Sequence, residues 1–200
     1  MISGIFLAAG RGVRFGERKL MLEVNGRPLY YYALRNCVES RLAHVIVVLG
    51  DGREELSGSI GLLFDGTDKI SIVENRDFEQ GMMSSLKKGI RSLGSGCRGA
   101  MVLLADMPLV SPEIIDALLD MFEEEETIVV PECQGEKYHP RIIPARLFPD
   151  FLRLGDDEKG TKILDEHSGE IARVTTGCMT DYVDVDRMKD LDSIRVLLRD

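Results

Sequence analysis

Short apolar runs alternate along this chain with segments of helical period. Ile2–Ala9 carries no charge and stops at Gly10, which predicts a buried first strand. Pro28–Glu39, with Leu29, Tyr32, Ala33 and Cys37 at helical spacing, predicts a helix. His44–Leu49, the most β-branched run, predicts a second strand, Ile70–Val73 a third and Ala100–Ala105 a central one. Ser84–Leu93 predicts a helix with Leu86, Ile90 and Leu93 on one face. Ser111-Pro112-Glu113 has the marks of a helix start: a hydroxyl cap, a proline in the first turn and an acid near the positive end of the dipole. That helix is expected to reach about Glu125, and the like charges of Glu123–Glu126 to fray its end. Thr127–Pro131 predicts a further strand. The pattern then weakens: a loop at Gln134–Pro140, a short strand at Arg141–Ile143, helices at Ala145–Leu154 and Gly160–His167, and a charged loop at Gly155–Lys159. Short strands at Ile171–Thr175 and Tyr182–Val185 and a closing helix at Arg187–Arg199 complete the reading. Strand–helix alternation without repeats or linkers predicts an α/β chain: a single Rossmann-like domain with a mostly parallel mixed sheet and helices on both faces.

Composition narrows the class. The chain has 200 residues, 44% of them hydrophobic, which excludes collagen-like, low-complexity and wholly disordered readings. The net charge of −9 argues against non-specific nucleic-acid binding, although a local basic loop could still hold phosphates. Cys37, Cys97, Cys133 and Cys178 are too far apart for a C-x-x-C motif and read as reduced thiols. No segment reads as a signal peptide or a membrane span, so the expected location is the cytoplasm.

The chemistry starts where the first strand ends. From Gly10 to Lys19 there are three glycines and four basic residues, against an acidic background. Glycines let backbone N–H groups approach an anion, and Arg and Lys supply countercharge, so a polyphosphate is the natural guest. The position suits it, because open α/β sheets bind ligands beyond the carboxyl ends of their strands. The spacing fits neither G-x-x-x-x-G-K-[ST] nor G-x-G-x-x-G. A loop of this kind lies at the surface, so its side chains are expected to matter little to the fold.

Carboxylates follow. Asp106, in Leu104-Ala105-Asp106-Met107-Pro108, ends the central strand, where a carboxylate costs desolvation unless it meets a cation. Mg²⁺ on phosphates would satisfy it, and a turn or cap role is the alternative. In Asp184-Val185-Asp186, strand alternation would send both carboxylates to one side. Capping of the last helix by Asp186 is the alternative there. Alone, Ser84 reads as an N-cap, and His139 reads equally well as structural or functional.

The segment Leu7-Ala8-Ala9-Gly10-Arg11-Gly12-Val13-Arg14-Phe15-Gly16-Glu17-Arg18-Lys19 resembles the L-A-[AG]-G-x-G-x-R-x-G-x-x-K signature of nucleotidyltransferases with a nucleotide-diphospho-sugar transferase fold. Within them the chain looks most like the guanylyl- and cytidylyltransferases of the molybdenum cofactor (MobA/MocA-like). The resemblance implies that Leu7, Ala8, Ala9, Gly10 and Gly12 wrap a nucleoside triphosphate, and that Arg14 and Lys19 contact its phosphates. Ala105-Asp106-Met107-Pro108 resembles the family's metal-binding motif, and Asp184-x-Asp186 before Asp190-Leu191 resembles its D-[IV]-D tail. Asp106 and Asp186 would then hold Mg²⁺, with Lys19, Arg14 and Asp106 catalytic. Asn75 through Gly81, Ser84 and Ser85 to Gly89 resembles the N-x-x-[WFY]-x-x-G-M-x-x-S segment, which implies nucleotide contacts at Asn75, Gly81, Ser84, Ser85 and Asp106. Tyr138-His139-Pro140 resembles G-H-P, and Gly155-Asp156 through Lys162 resembles G-D-x-G-A-R, which places His139 and Asp156 on the acceptor.

By resemblance, residues 1–130 form the nucleotide-binding part, and 131–200 the acceptor-binding part and C-terminal helix. The implied reaction transfers a nucleoside monophosphate to a phosphorylated acceptor and releases pyrophosphate. The best acceptor by resemblance is molybdopterin, with a molybdoenzyme or chaperone as protein partner. Leu7-Ala8-Ala9-Gly10 matches the cytidylyl form, so CTP is expected over GTP. Transfer to a sugar phosphate and a non-catalytic NTP-binding regulator are the alternatives.

Overall fold

The computed structural model describes residues 1–10, 19–50 and 54–198. β1 (Ile2–Ala8) leads to a small hairpin, β2 (Glu23–Val24) and β3 (Arg27–Pro28), and then to α1 (Leu29–Glu39), β4 (His44–Gly50) and α2 (Glu54–Leu63). β5 (Ile70–Asn75), α3 (Met82–Arg91), β6 (Gly99–Leu104) and α4 (Pro112–Glu125) follow. The rest is β7 (Ile128–Cys133), β8 (Glu136–Lys137), β9 (Arg141–Pro144), α5 (Phe148–Arg153), α6 (Thr161–Glu166), β10 (Ile171–Thr175) and α7 (Met188–Arg195). The main sheet runs β10-β7-β9-β6-β1-β4-β5, with β8 paired to β7. β1 pairs in parallel with β4 and β6, as β4 does with β5 and β7 with β10, whereas β9 runs antiparallel to β6 and β7. This is the mostly parallel mixed sheet that the strand–helix alternation predicts.

Alternation along β1 builds two cores. Phe6 and Ala8 face α1, α2 and α4, where Tyr30, Leu34, Ile60 and Ile115 are buried. Ile5 and Leu7 face α3, α5 and α6, where Met83, Leu86, Phe151 and Ile163 are buried. A strand buried on both faces must be apolar throughout, as Ile2–Ala8 is. A third cluster packs Leu191 and Ile194 of α7 onto Val24, Leu29 and Tyr32 at the β2–β3 hairpin. Asn25 and Gly26 turn that hairpin with positive φ at both central residues, the backbone that a tight two-residue connection requires.

Several expectations change. α2 was not expected; it is buried only through Leu56 and Ile60. α3 starts at Met82 with Gly81 as its cap, and Ser84 lies inside its first turn rather than capping it. α4 does not fray: Arg98 pairs with Glu123 at 3.0 Å and Glu126 at 3.1 Å, and Glu126 closes the helix in the left-handed region. Gln134–Pro140 contains the short strand β8, and the helix expected from Ala145 begins as a 3-10 turn. Tyr182–Val185 is not a strand: Met179–Tyr182 is a 3-10 turn, and the chain beyond it pairs with no strand.

Candidate active site

The site lies beyond the carboxyl ends of β1 and β6. Leu7, Ala8 and Ala9 are buried there, Gly10 is exposed, and the Ala105 N–H donates to the Leu7 carbonyl at 3.2 Å, which holds the two strand ends together. Gly12 and Arg14 lie outside the described residues.

Lys19 opens a 3-10 turn, Lys19–Met21, immediately before the β2–β3 hairpin. Its side chain is only 10% exposed, and its Nζ donates to Asp106 Oδ2 at 2.7 Å and Asp186 Oδ1 at 3.2 Å. The expectation that a surface loop leaves this lysine irrelevant to the fold is therefore corrected. Its ammonium ties together three distant parts of the chain. Val185 explains how the tail reaches it. The Val185 side chain is fully buried in the α7 cluster, and its N–H donates to the Asp106 carbonyl at 3.0 Å. Asp184 and Asp186 flank this anchor in chain whose neighbours, Val183 and Arg187, are extended. The Asp186 N–H is capped by Asp190 Oδ2 at 3.1 Å.

Burial first, then the charges of Asp106 and Asp186, push the Asp184 carboxyl up to about 6, and Lys19 only partly offsets them. Three carboxylates thus surround one ammonium, leaving negative charge that suits a divalent cation. Among the described residues no three Asp, Glu, His or Cys side chains form a ready metal centre. Mg²⁺ does not need one: it is commonly bound through one or two carboxylates together with substrate phosphates. The hard oxygen donors at Asp106 and Asp186 fit that requirement.

Asn75, Ser84 and Ser85 come together as a buried brace. Asn75 Nδ2 donates to Ser84 Oγ at 2.9 Å and Ser85 Oγ at 3.0 Å, and its Oδ1 accepts from the Asp77 N–H at 3.2 Å. Ser84 Oγ lies 2.9 Å from both the Asp77 and the Gly81 carbonyl, which share its single proton. The brace shapes the turn 76–81. Gly81 has φ 118° and ψ 179°, open only to glycine, and a Cβ there would lie 3.2 Å from the Asp156 carbonyl oxygen.

Asp156 accepts a 2.7 Å bond from Lys87 Nζ, which also donates to the Leu154 carbonyl. Sequence reasoning missed Lys87. The available signal was its place four residues after Met83, on the apolar stripe of α3, where a buried ammonium needs partners. His139 lines the other side of the same region. Burial and the adjacent Arg141 lower its pKa to about 4, so the imidazole is neutral, with Nδ1 3.4 Å from the Val102 carbonyl. Arg141 was also missed. Its Nε donates to the Tyr138 carbonyl at 2.9 Å, and burial alone lowers its pKa. These parts enclose a cavity of about 460 Å³, touched by Leu7 and Gly81 from one half of the chain and His139, Arg141 and Asp156 from the other.

Residues 4–171 match the model of the MobA-like NTP transferase domain. The chain belongs to the MobA-like NTP transferases. Among curated proteins it is 29% identical over 194 residues to the purine catabolism protein PucB of Bacillus subtilis, covering 95% of this chain and 91% of that protein. It is 27% identical over 179 residues to a probable molybdenum cofactor guanylyltransferase of Thermococcus sibiricus, covering 88% and 82%. Among solved structures, Rv0371c of Mycobacterium tuberculosis superposes with a TM-score of 0.81 at 26% identity, covering 98% of this chain and 97% of that one. A second structure of that protein is a complex with manganese. This MobA-like chain therefore has the nucleotide-diphospho-sugar transferase fold and is a nucleotidyltransferase that takes a nucleoside triphosphate.

Proposed function

We propose that this chain transfers a nucleoside monophosphate from an NTP to the phosphate of molybdopterin or a close relative, releasing pyrophosphate. The Lys19 ammonium held between Asp106 and Asp186, at the mouth of the Leu7–Gly10 segment, carries the reading. A phosphate oxygen of the acceptor attacks the α-phosphorus in line, the bond to the α,β-bridging oxygen breaks, and pyrophosphate leaves. A phosphate monoester is substantially ionised at neutral pH, so no protein nucleophile is needed. Positioning and charge neutralisation carry such a step. Lys19 is placed to exchange a carboxylate for a phosphate oxygen, and Leu7–Gly10, Gly12 and Arg14 complete the phosphate loop. Asp106 and Asp186 would hold Mg²⁺, which when bound neutralises charge on the phosphoryl oxygens. Gly81 and the Asn75–Ser84–Ser85 brace serve the nucleotide, and His139 and Asp156 the acceptor. Residues 1–130 and 131–200 divide the work in that way, in the cytoplasm, with delivery to a molybdoenzyme or its chaperone.

Ala8-Ala9 favours CTP, because a second glycine there would let the backbone sit nearer a purine. Similarity to the probable molybdenum cofactor guanylyltransferase of Thermococcus sibiricus favours GTP instead. Pyrophosphate release measured with each of the four NTPs and with reduced molybdopterin or sugar phosphates decides both questions. A tenfold preference for GTP would overturn the CTP reading, and no release with any pair would overturn the reaction. Asp106→Asn keeps shape and removes charge, so kcat should fall at least about a hundredfold. Asp186→Asn should behave alike, the double variant should be little worse than either single one, and chelation of Mg²⁺ should stop turnover. Near-normal kcat in a folded Asp106→Asn protein would make Asp106 a turn residue.

A further inference from the structure

The segment that follows Asp106 is neither strand nor helix, yet it is largely buried. Met107 and Val110 lie in the core shared by α1 and α4, and Leu109 packs against the α7 cluster. Buried carbonyls in such a segment need donors. The Leu104 carbonyl takes the Met107 N–H at 3.2 Å, and the Asp106 carbonyl takes the Val185 N–H at 3.0 Å. Two further carbonyls are met by a side chain of α1. Asn36 is only 7% exposed, and its Nδ2 donates to the Val110 carbonyl at 2.9 Å and to the Pro108 carbonyl at 3.3 Å. Both protons of the carboxamide are thereby used. Nothing else recommends an asparagine at this position. It favours a helix less than alanine or leucine does, and its neighbours Ala33, Leu34 and Cys37 are buried hydrophobes. A buried carboxamide costs desolvation unless it is hydrogen-bonded, so the bonds to the 106–110 segment are what the residue contributes.

The proposed chemistry has a requirement that this contact meets. In the resting protein Lys19 holds the Asp106 carboxylate at 2.7 Å, but it is placed to exchange that carboxylate for a phosphate oxygen. Asp106 must then keep its direction without the ammonium. What remains to hold it is backbone: the Ala105 N–H on the Leu7 carbonyl before it, the Val185 bond at it, and the Asn36 bonds just beyond it. We infer that Asn36 is a positioning residue for Asp106, its carboxamide fixing the 106–110 segment so that the carboxylate stays aimed at a divalent cation when Lys19 turns to the phosphates. Asn36 acts through this segment and is not itself a ligand. The inference rests on the proposed metal role of Asp106. Groups that orient a metal ligand from behind change metal affinity or activity by about 10–100-fold when they are lost.

Mn²⁺ is the probe, followed by its enhancement of water-proton relaxation, with and without a saturating α,β-methylene NTP that cannot turn over. Melting temperatures are read on the same samples. Asn36→Leu fills the space and removes both donors, and Asn36→Ala removes them with less bulk; either serves if the other fails to fold. With the nucleotide bound, the Mn²⁺ dissociation constant should rise at least about tenfold in each. Leu34→Ala is the control: Leu34 is fully buried on the same helix, so the change strips packing and no hydrogen bond. It should lower the melting temperature and leave Mn²⁺ binding unchanged. Asp106→Asn, measured beside them, should lose the ion. An Asn36 variant that binds Mn²⁺ as the wild type does, while Asp106→Asn does not, overturns the inference and leaves the metal role of Asp106 standing. An equal loss of Mn²⁺ in Leu34→Ala also overturns it, since binding would then follow stability. If Asp106→Asn binds Mn²⁺ as tightly as the wild type, the metal role of Asp106 falls and the inference falls with it.

Discussion

Lys19 ends the proposed phosphate loop and pairs with the two carboxylates proposed to hold metal, so its removal has two separable effects. Losing one charge-assisted contact to the triphosphate should weaken turnover by about 1.5–3 kcal/mol in Lys19→Ala. Because Lys19 is buried against Asp106 and Asp186, the same change leaves two carboxylates unneutralised, and thermal stability should also fall. Mg²⁺ should restore part of that stability but not the turnover; melting curves with and without the ion, beside steady-state rates, read the two effects apart. An unchanged melting temperature would contradict the ion-pair geometry. His139 makes a different residue-scale statement. Its folded pKa is lowered to about 4 by burial and by Arg141, against about 6.5 for an unfolded histidine. Between those values the unfolded chain takes up a proton that the folded chain refuses. Stability is therefore whole above about pH 6.5 and is lost as pH falls towards 4, by up to about 3 kcal/mol. Urea unfolding of wild type and His139→Gln at pH 7.5, 6, 5 and 4.5 measures the difference; equal slopes in the two proteins would contradict a buried neutral imidazole.

At the scale of elements, the turn before α3 is the most constrained. Gly81 needs a backbone closed to other residues, and it abuts the Asp156 carbonyl of the loop that carries the Lys87 ion pair. Gly81→Ala should cost about 1–3 kcal/mol and displace both segments, which denaturant titration and the acceptor KM would register together. Elements with local signals were legible. α4 was readable from Ser111, Pro112 and its apolar stripe, and Ser111 does accept a hydrogen bond from the Ile114 N–H. α2 was not, because Gly58, Gly61 and two serines dilute its period and only two side chains anchor it. The hairpin at Asn25-Gly26 carries its signal in that dipeptide alone, between strands of only two residues each. Near the C-terminus the segment after Tyr182 is extended without being a strand, since extension is local and ladder pairing is not. The same distinction separates the site residues. Asp106, Asp186 and Lys19 stand in recognisable motifs and do meet. Lys87 gains meaning only from Asp156 and the Leu154 carbonyl, which a distant segment brings to it, and Arg141 only from its place on β9 opposite Val102.

The whole molecule is held together by a strand that returns. β9, from the later part of the chain, lies between β6 and β7, and every ladder partner of β7 (β8, β9 and β10) comes from beyond residue 133. Cutting the chain at residue 130 would strip β6 of its β9 partner beside Ala100, Met101 and Val102, all buried. It would also remove Phe151, Ile163 and Leu164 from the core under α3, and Val185 from its bond to Asp106. Fully burying one such apolar side chain contributes about 1.5–3 kcal/mol, and a domain is stable by only about 5–15 kcal/mol, so these losses exceed what the fragment can bear. Residues 1–130 expressed alone should therefore show no cooperative unfolding transition and no Mg-NTP binding, although they carry the entire proposed phosphate loop. The intact chain should melt in one transition that Mg-NTP raises, because a ligand bound only by the folded state stabilises every part that folds with it. A 1–130 fragment that unfolds cooperatively and binds Mg-NTP within tenfold of the intact chain would show that the returning strand is an addition to the nucleotide-binding fold rather than part of what holds it.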